Sequence, residues 1–329
     1  MKTGFLGGYD PTKPTHLHIR PMNPSDQQRQ VEASPLLEAS RLRSSSRATR
    51  LRSALLRSPV GIVGLLIVGM VLLFAIAGPL ITPHVPDEPN LRARFKPPGY
   101  SDAKGTYLLG TDQLGRDILS RVIVGSRVSV LVGVIAVVIS GTIGVLLGVI
   151  SAYVGGWTDV IIMRVADALL GIPFIILAIA ISGAVGPGLV TLIALLGFTG
   201  WETYARITRG EVLVVRALDF VTAARVVGQR SWLVVLRHIV PNVLSSAIVL
   251  AALQVGTTIL AESSLSFLGL GVQPPFVTWG LMLADGRQYI GSAWWMSTFP
   301  GIAITITVLG VVFLGDWLRD TLDPRLRGK

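Results

Sequence analysis

The chain contains no cysteine and only four histidines in 329 residues. The first absence excludes a disulfide framework, thiolate metal sites and a cysteine nucleophile. The second gives no basis for a histidine-built metal centre: three histidines lie outside any apolar run, and the fourth, His238, sits in a polar segment. Charge is scarce too. Asp, Glu, Lys and Arg make up 15% of the residues, where a soluble domain carries about 25%. No glycine-rich loop ends in Lys-Ser/Thr, no nucleophile has a matching base, and no carboxylate pair stands in a hydrolase-like setting, so the sequence points to no catalysis of its own. The first 58 residues hold no apolar h-region, which argues against a secretory signal peptide there.

Apolar residues, by contrast, reach 51%, and the mean hydropathy is +0.63. They concentrate in runs long enough for a bilayer crossing, which takes about 20 helical residues. The pattern predicts an all-α polytopic membrane protein with six spans near 59–82, 128–154, 160–182, 188–203, 243–263 and 297–317. The fourth is short and becomes a full span only if its helix continues from Trp201 to Ala205. Pro173 is expected to kink the third. In the second, Gly141, Gly144 and Gly148 would let a neighbouring helix approach closely, although glycine is also simply common in membrane helices.

The net charge of +10 does not call for nucleic acid, because the basic residues cluster beside the apolar runs. Arg41, Arg43, Arg47, Arg50, Arg52 and Arg57 precede the first run; Arg206, Arg209, Arg216, Arg225, Arg230 and Arg237 lie between the fourth and fifth; Arg319, Arg325, Arg327 and Lys329 follow the last. With six spans these groups share one side, so both termini are expected to be cytoplasmic in a cytoplasmic (inner) membrane. Residues 1–58 read as a partly disordered tail whose arginines meet anionic lipid of the bilayer, and 319–329 as a short cytoplasmic tail.

The segment from Tyr204 to Asn242 is the longest polar interruption on that side. Asp219 is expected to cap a short helix through its side chain. Phe220 to Val227 favour helix, with a small-faced patch at Ala223 and Ala224, and Gly228 suits the left-handed residue that ends one. Pro241 stands just before the fifth run, where a missing amide costs little. Such a helix could enter a groove on a partner protein. A connector lying on the bilayer surface accounts for the same residues equally well.

The loop resembles the EAA motif of ABC-importer permeases, with Thr222-Ala223-Ala224, Gly228 and Pro241 at the matching positions. Thr222 stands where that family usually has Glu. With Asp219 as the cap, a Glu at this position would close a capping box, and its loss is expected to cost about 0.5–1 kcal/mol. Leu109 to Asp117 (LGTDQLGRD), Ser120-Arg121 and Gly125 to Ser129 are similar to the dipeptide/oligopeptide/nickel branch of the same permeases. Met163 to Asp167, Gly186-Pro187-Gly188, Tyr204-Ala205-Arg206, Leu265 to Pro275 and Trp279-Gly280 resemble that branch as well. The match covers roughly 55–327 and looks like the C-type subunit of the permease pair.

This resemblance implies a permease subunit of an ATP-driven importer for peptides or related small solutes, with 219–228 acting as a cytoplasmic coupling helix. It also implies a second homologous permease, two cytoplasmic ATPase subunits and an external solute-binding protein. ATP and Mg would be held by the partners, and no cofactor by this chain. Dipeptides, longer peptides, nickel chelates and glutathione-like molecules are all carried by similar permeases.

Other residues have competing readings. Asp112, Arg116 and Asp117 can pair locally or cap the stretch that follows, so the 109–117 segment reads as an external lid or gate. Arg164 and Asp167 are spaced to pair with each other on one helix face, and a part in an inner gate is the sharper alternative. Glu262, in an apolar run, must face the interior or a cavity, either as a packing contact or as a polar position on the solute path. Trp294 and Trp295 read as interfacial anchors. A self-contained secondary transporter or channel would need acidic or histidine sites in mid-membrane, which are nearly absent. A membrane scaffold without a path is the remaining alternative.

Overall fold

The computed structural model describes Leu55 and residues 58–322. The expected tail with its arginine cluster lies outside these residues except for Leu55 and Ser58, as do Arg325, Arg327 and Lys329.

The described chain is helical, with one small hairpin. Helix α1, Pro59–Ile81, starts where the Ser58 hydroxyl accepts the Gly61 amide at 3.1 Å and Pro59 presets the first turn. It packs tightly on the last helix, α11 (Trp295–Leu322). A β-carbon on Gly64 would lie 2.6 Å from the Leu314 amide nitrogen, and one on Gly310 would lie 2.4 Å from Ile67. In lipid, this close approach of backbones is what holds helices together.

The segment after α1 carries a two-stranded antiparallel hairpin, β1 (Tyr100–Asp102) and β2 (Gly105–Tyr107), with Tyr100 opposite Tyr107. Helix α2 spans Ile118–Val154, ten residues earlier than the 128 start expected from hydropathy. Asp117 is the cause: its carboxylate accepts both the Ser120 amide at 2.9 Å and the Ser120 hydroxyl at 2.6 Å, which fixes the helix start upstream of the apolar run. At 1.5 Å per residue α2 is about 56 Å long, well beyond the roughly 30 Å hydrocarbon layer.

Helices α3 (Gly156–Gly171) and α4 (Phe174–Val185) replace the third expected span. They meet at 89°, a far sharper turn than a proline kink inside a continuous helix. The residue before a proline is driven out of the helical region, and both Ile172 (ψ 122°) and Pro173 (ψ 121°) are extended. Helix α5, Leu189–Thr199, follows the Gly186-Pro187-Gly188 turn, and α6, Trp201–Val215, resumes directly after Gly200. The fourth expected stretch thus continues past 203 as a polar helix.

Next come α7 (Asp219–Val226), the single turn α8 (Ser231–Val234), a π-helical turn at Val235–Ile239, and the long α9 (Val240–Phe267). A loop leads to α10, Trp279–Gly286, and then to α11. Among the described residues, four helical stretches are long and apolar enough to cross a membrane, five if the bent pair counts as one. The protein is an integral membrane protein built of helices.

Candidate functional site: the 204–242 loop and its supports

The seven positions singled out between 219 and 241 lie on α7, at its end and at the start of α9. Asp219 is the first residue inside α7; the capping position belongs to Leu218, which makes no side-chain cap bond. The expected role of Asp219 as cap is therefore corrected by one residue. Thr222 moves with it, to the fourth helical position, where its hydroxyl donates back to the Leu218 carbonyl at 3.4 Å. A capping box needs its acid at the third position, so the geometry expected for a Glu here does not exist.

The far end of α7 matches the glycine-stop motif in full. Gly228 has φ +82°. Its amide donates to the Arg225 carbonyl at 2.9 Å, and the Gln229 amide donates to the Ala224 carbonyl at 3.1 Å. These paired bonds satisfy carbonyls that the helix end would leave open. A β-carbon at Gly228 would meet nothing within 4 Å, so backbone conformation, not space, calls for glycine.

One face of α7 is anchored and the rest is open. Val221 is fully buried, while Phe220 is 45%, Val226 82% and Val227 87% exposed. Thr222 and Ala223 are exposed and Ala224 is half-buried. Trp232, just beyond, is also exposed. Gln229 Oε1 and His238 Nε2 lie 3.0 Å apart, and the Phe220 and His238 rings are tilted at 6.1 Å, which ties α7 to the π-helical turn. That turn precedes Pro241, whose missing amide cannot serve the Arg237 carbonyl; the Val240 amide bonds back to Val235, and the Asn242 amide group serves the His238 carbonyl at 2.6 Å.

Side chains that sequence reading did not single out hold this loop to the helices. Arg216 Nη1 donates to the Ala152 carbonyl at 2.5 Å, capping the end of α2 with a cation. The Arg225 guanidinium stands over the Tyr153 ring at 5.4 Å. Arg209 grips Asp159 with two bonds, Nε to Oδ1 at 2.5 Å and Nη2 to Oδ2 at 2.6 Å. Higher up, α6 lies against α2 without gaps: a β-carbon on Gly144 would lie 2.4 Å from both the Trp201 carbonyl oxygen and Tyr204 Cβ, and one on Gly148 would lie 2.6 Å from the Ala205 carbonyl oxygen.

The tentative path residues fall elsewhere. Asp167 pairs with Arg206 at 2.7 Å, not with Arg164, which forms no ion pair among the described residues. The i,i+3 expectation fails because α6 brings a nearer cation. Glu262 is fully buried and accepts the Ser266 hydroxyl at 2.9 Å and that of Ser263 at 3.2 Å. It belongs to the seam where α9 meets the first turn of α10, since a β-carbon on Gly280 would lie 2.6 Å from Ser263. Both hydroxyls bonded to Glu262 come from its own helix, α9. A second buried acid, Glu202 on α6, went unremarked because it closes an apolar run.

The 109–117 segment folds as a turn built on Asp112. Asp112 accepts the Leu114 and Arg116 amides and pairs with the Arg116 side chain at 2.6 Å. Arg116 and Arg121 also reach Asp285 on α10 at 3.7 and 3.8 Å. Burial pushes the Asp285 carboxyl above its ordinary range, and the two arginines pull it back. Lys104, bonded to Glu88 at 2.6 Å, holds that exposed carboxyl below its usual range. Trp295 is buried, its indole donating to the Thr111 carbonyl at 3.1 Å; only Trp294 has the exposure expected of an interfacial anchor.

Comparison with known proteins adds the family. The family described as binding-protein-dependent transport system inner membrane component matches residues 144–328, and the N-terminal TM domain of oligopeptide transport permease C matches 46–98. The dipeptide transport system permease protein DppC of Escherichia coli strain K12 is 47% identical over 272 residues, covering 82% of this chain and 91% of the relative. The probable D,D-dipeptide transport system permease protein DdpC of the same strain is 41% identical over 272 residues, or 83% and 90% of the two chains. The di/tripeptide transport system permease protein DppC of Pseudomonas aeruginosa strain UCBPP-PA14 is 39% identical over 265 residues, or 80% and 88%.

Proposed function

The chain belongs to the family of binding-protein-dependent transport system inner membrane components and is a permease subunit of an ABC importer, and we propose that it carries peptides by converting ATPase movement into helix movement. It works with a second homologous permease, with which it encloses the solute path, and with two cytoplasmic ATPase subunits that bind ATP and Mg. A solute-binding protein delivers cargo from outside. The membrane is the cytoplasmic one, with the 204–242 loop and both termini on the cytoplasmic side. The peptide cargo rests on the relatives, which are named as dipeptide, D,D-dipeptide and di/tripeptide transport permeases.

The observation that carries the coupling role is α7 itself. It is a short helix with a glycine stop at its far end, one buried anchor at Val221 and exposed apolar groups at Phe220, Val226 and Val227. Exposed apolar side chains on a polar segment are what a partner's groove takes up. ATP-driven closure of the ATPases would then move α7 as a rigid piece, with Asp219, Phe220, Thr222, Ala223, Ala224 and Gly228 at the contact and Pro241 passing the motion into α9. Arg164 and Asp167 are assigned to the inner gate, and Glu262 to a polar position beside the solute path.

Crosslinking tests this contact. The chain has no native cysteine, so Ala223→Cys and Val226→Cys introduce single thiols. Both should crosslink to the co-expressed ATPase subunit, and Val138→Cys, on α2, should not. Absence of any ATPase crosslink from α7 in a complex that transports peptide would overturn the assignment.

A further inference from the structure

Helix α3 is isolated by two backbone breaks. At its start, Gly155 and Gly156 both have positive φ, +71° and +57°, and a β-carbon on either would meet nothing within 4 Å. The pair therefore supplies a turn that other residues rarely adopt, not room for a neighbour. At its end, the chain leaves α3 through Ile172 and Pro173 at 89°. With an elbow at each end, backbone alone does not hold α3 to the helices before and after it.

Side chains do. Asp159, in the first turn of α3, receives both nitrogens of the Arg209 fork from α6 and also the Ser151 hydroxyl from the last turn of α2. A bidentate guanidinium–carboxylate pair fixes direction as well as distance. Both side chains are about two-thirds or more shielded, against roughly half for the Arg206–Asp167 pair further along. Ala166 of α3, fully buried, packs with Trp201 and Ala205 of α6. Helix α6 in turn runs through Arg216 and Leu218 directly into α7, and Arg225 of α7 rests on Tyr153 beside the glycine elbow.

We propose that Asp159 and Arg209 are a transmission clamp: positioning residues that make α3, and α4 beyond it, follow α6 whenever a partner displaces α7. The clamp rests on the reading of α7 as the ATPase contact. It gives the movement a second route into the bundle, separate from the direct path through Pro241 into α9.

The test uses the complete importer in proteoliposomes with its binding protein and peptide. Asp159→Ala and Arg209→Ala should each leave ATP hydrolysis in place while peptide moved per ATP falls about tenfold, a coupling loss within the usual allosteric range. The exchange Asp159→Arg with Arg209→Asp should recover most of that ratio. Spin labels at Trp157→Cys on α3 and Val214→Cys on α6, both exposed, should keep one narrow distance with and without ATP, broadening when Arg209→Ala is added. An unchanged transport-to-hydrolysis ratio, or a label distance indifferent to Arg209→Ala, would overturn the clamp even in an importer that works. Failure of the underlying reading looks different: the wild-type complex would show no peptide-stimulated hydrolysis at all, which would overturn both.

Discussion

Arg121, in the first turn of α2, and Asp285, near the end of α10, face each other at 3.8 Å although 164 positions separate them. Arg121 also reaches Asp87 at 2.8 Å, and its side chain is only 3% exposed. One buried cation therefore joins the segment after α1 to the segment before α11. Removing it takes a hydrogen-bonded cation from the half-exposed Asp87, while Arg116 stays 3.9 Å from Asp87 and 3.7 Å from Asp285, so the loss is about 1.5–3 kcal/mol. Arg121→Ala should lower stability by that order, measured by unfolding in detergent. Arg116, with its side chain 14% exposed and Asp112 at 2.6 Å, should lose less.

Asp285 gives this joint a pH dependence of known sign. Its carboxyl is raised by burial, so the folded chain holds that proton more readily than the unfolded one. The group then favours folding at acid pH, and its contribution declines as pH rises through the ordinary carboxylate value near 4. Asp285→Asn removes the titration. Its stability relative to wild type should rise as pH goes from about 4 to 7, read as the difference between two unfolding series.

The α2–α6 contact should tolerate no added side chain. A β-carbon on Gly144 would lie 2.4 Å from a carbonyl oxygen and from Tyr204 Cβ, and backbone cannot swing aside as a flexible side chain would. Gly144→Ala should cost about 1–3 kcal/mol and reduce the amount of folded protein recovered. Gly171→Ala, where nothing lies within 4 Å, is the matched control.

Some of this was legible in the sequence and some was not, for reasons that differ by residue. The apolar runs, the Gly228 stop and the turn at Pro173 are local signals, readable from neighbours along the chain. The start of α2 at Ile118 lies before the apolar run, and the sign of it in the sequence was Asp117 as a possible cap for the stretch that follows. Leu218 took the capping position expected for Asp219 because the end of α6 fixes where the chain turns. Asp159 with Arg209, and Arg121 with Asp285, are contacts between distant segments that no local spacing encodes. Trp295 resembled an anchor until the Thr111 carbonyl appeared beside its indole.

Thr222 illustrates what one residue of register changes. At the fourth position of α7, a Glu could not close a capping box on residue 219. It would add only its charge near the helix start, about 0.3–1 kcal/mol. Thr222→Glu should therefore raise the stability of the loop slightly, seen as slower amide exchange over 219–228, and leave ATPase binding intact or improved.

The most direct test of the central claim is ATP hydrolysis by the reconstituted importer with its peptide-loaded binding protein, comparing wild type with Ala224→Glu and Gly228→Pro. Both changes alter α7 or its stop and leave the helices around it in place. The expected result is loss of peptide-stimulated hydrolysis and of ATPase co-purification, with the membrane subunits still assembled. Stimulated hydrolysis at the wild-type level in both variants would contradict the account.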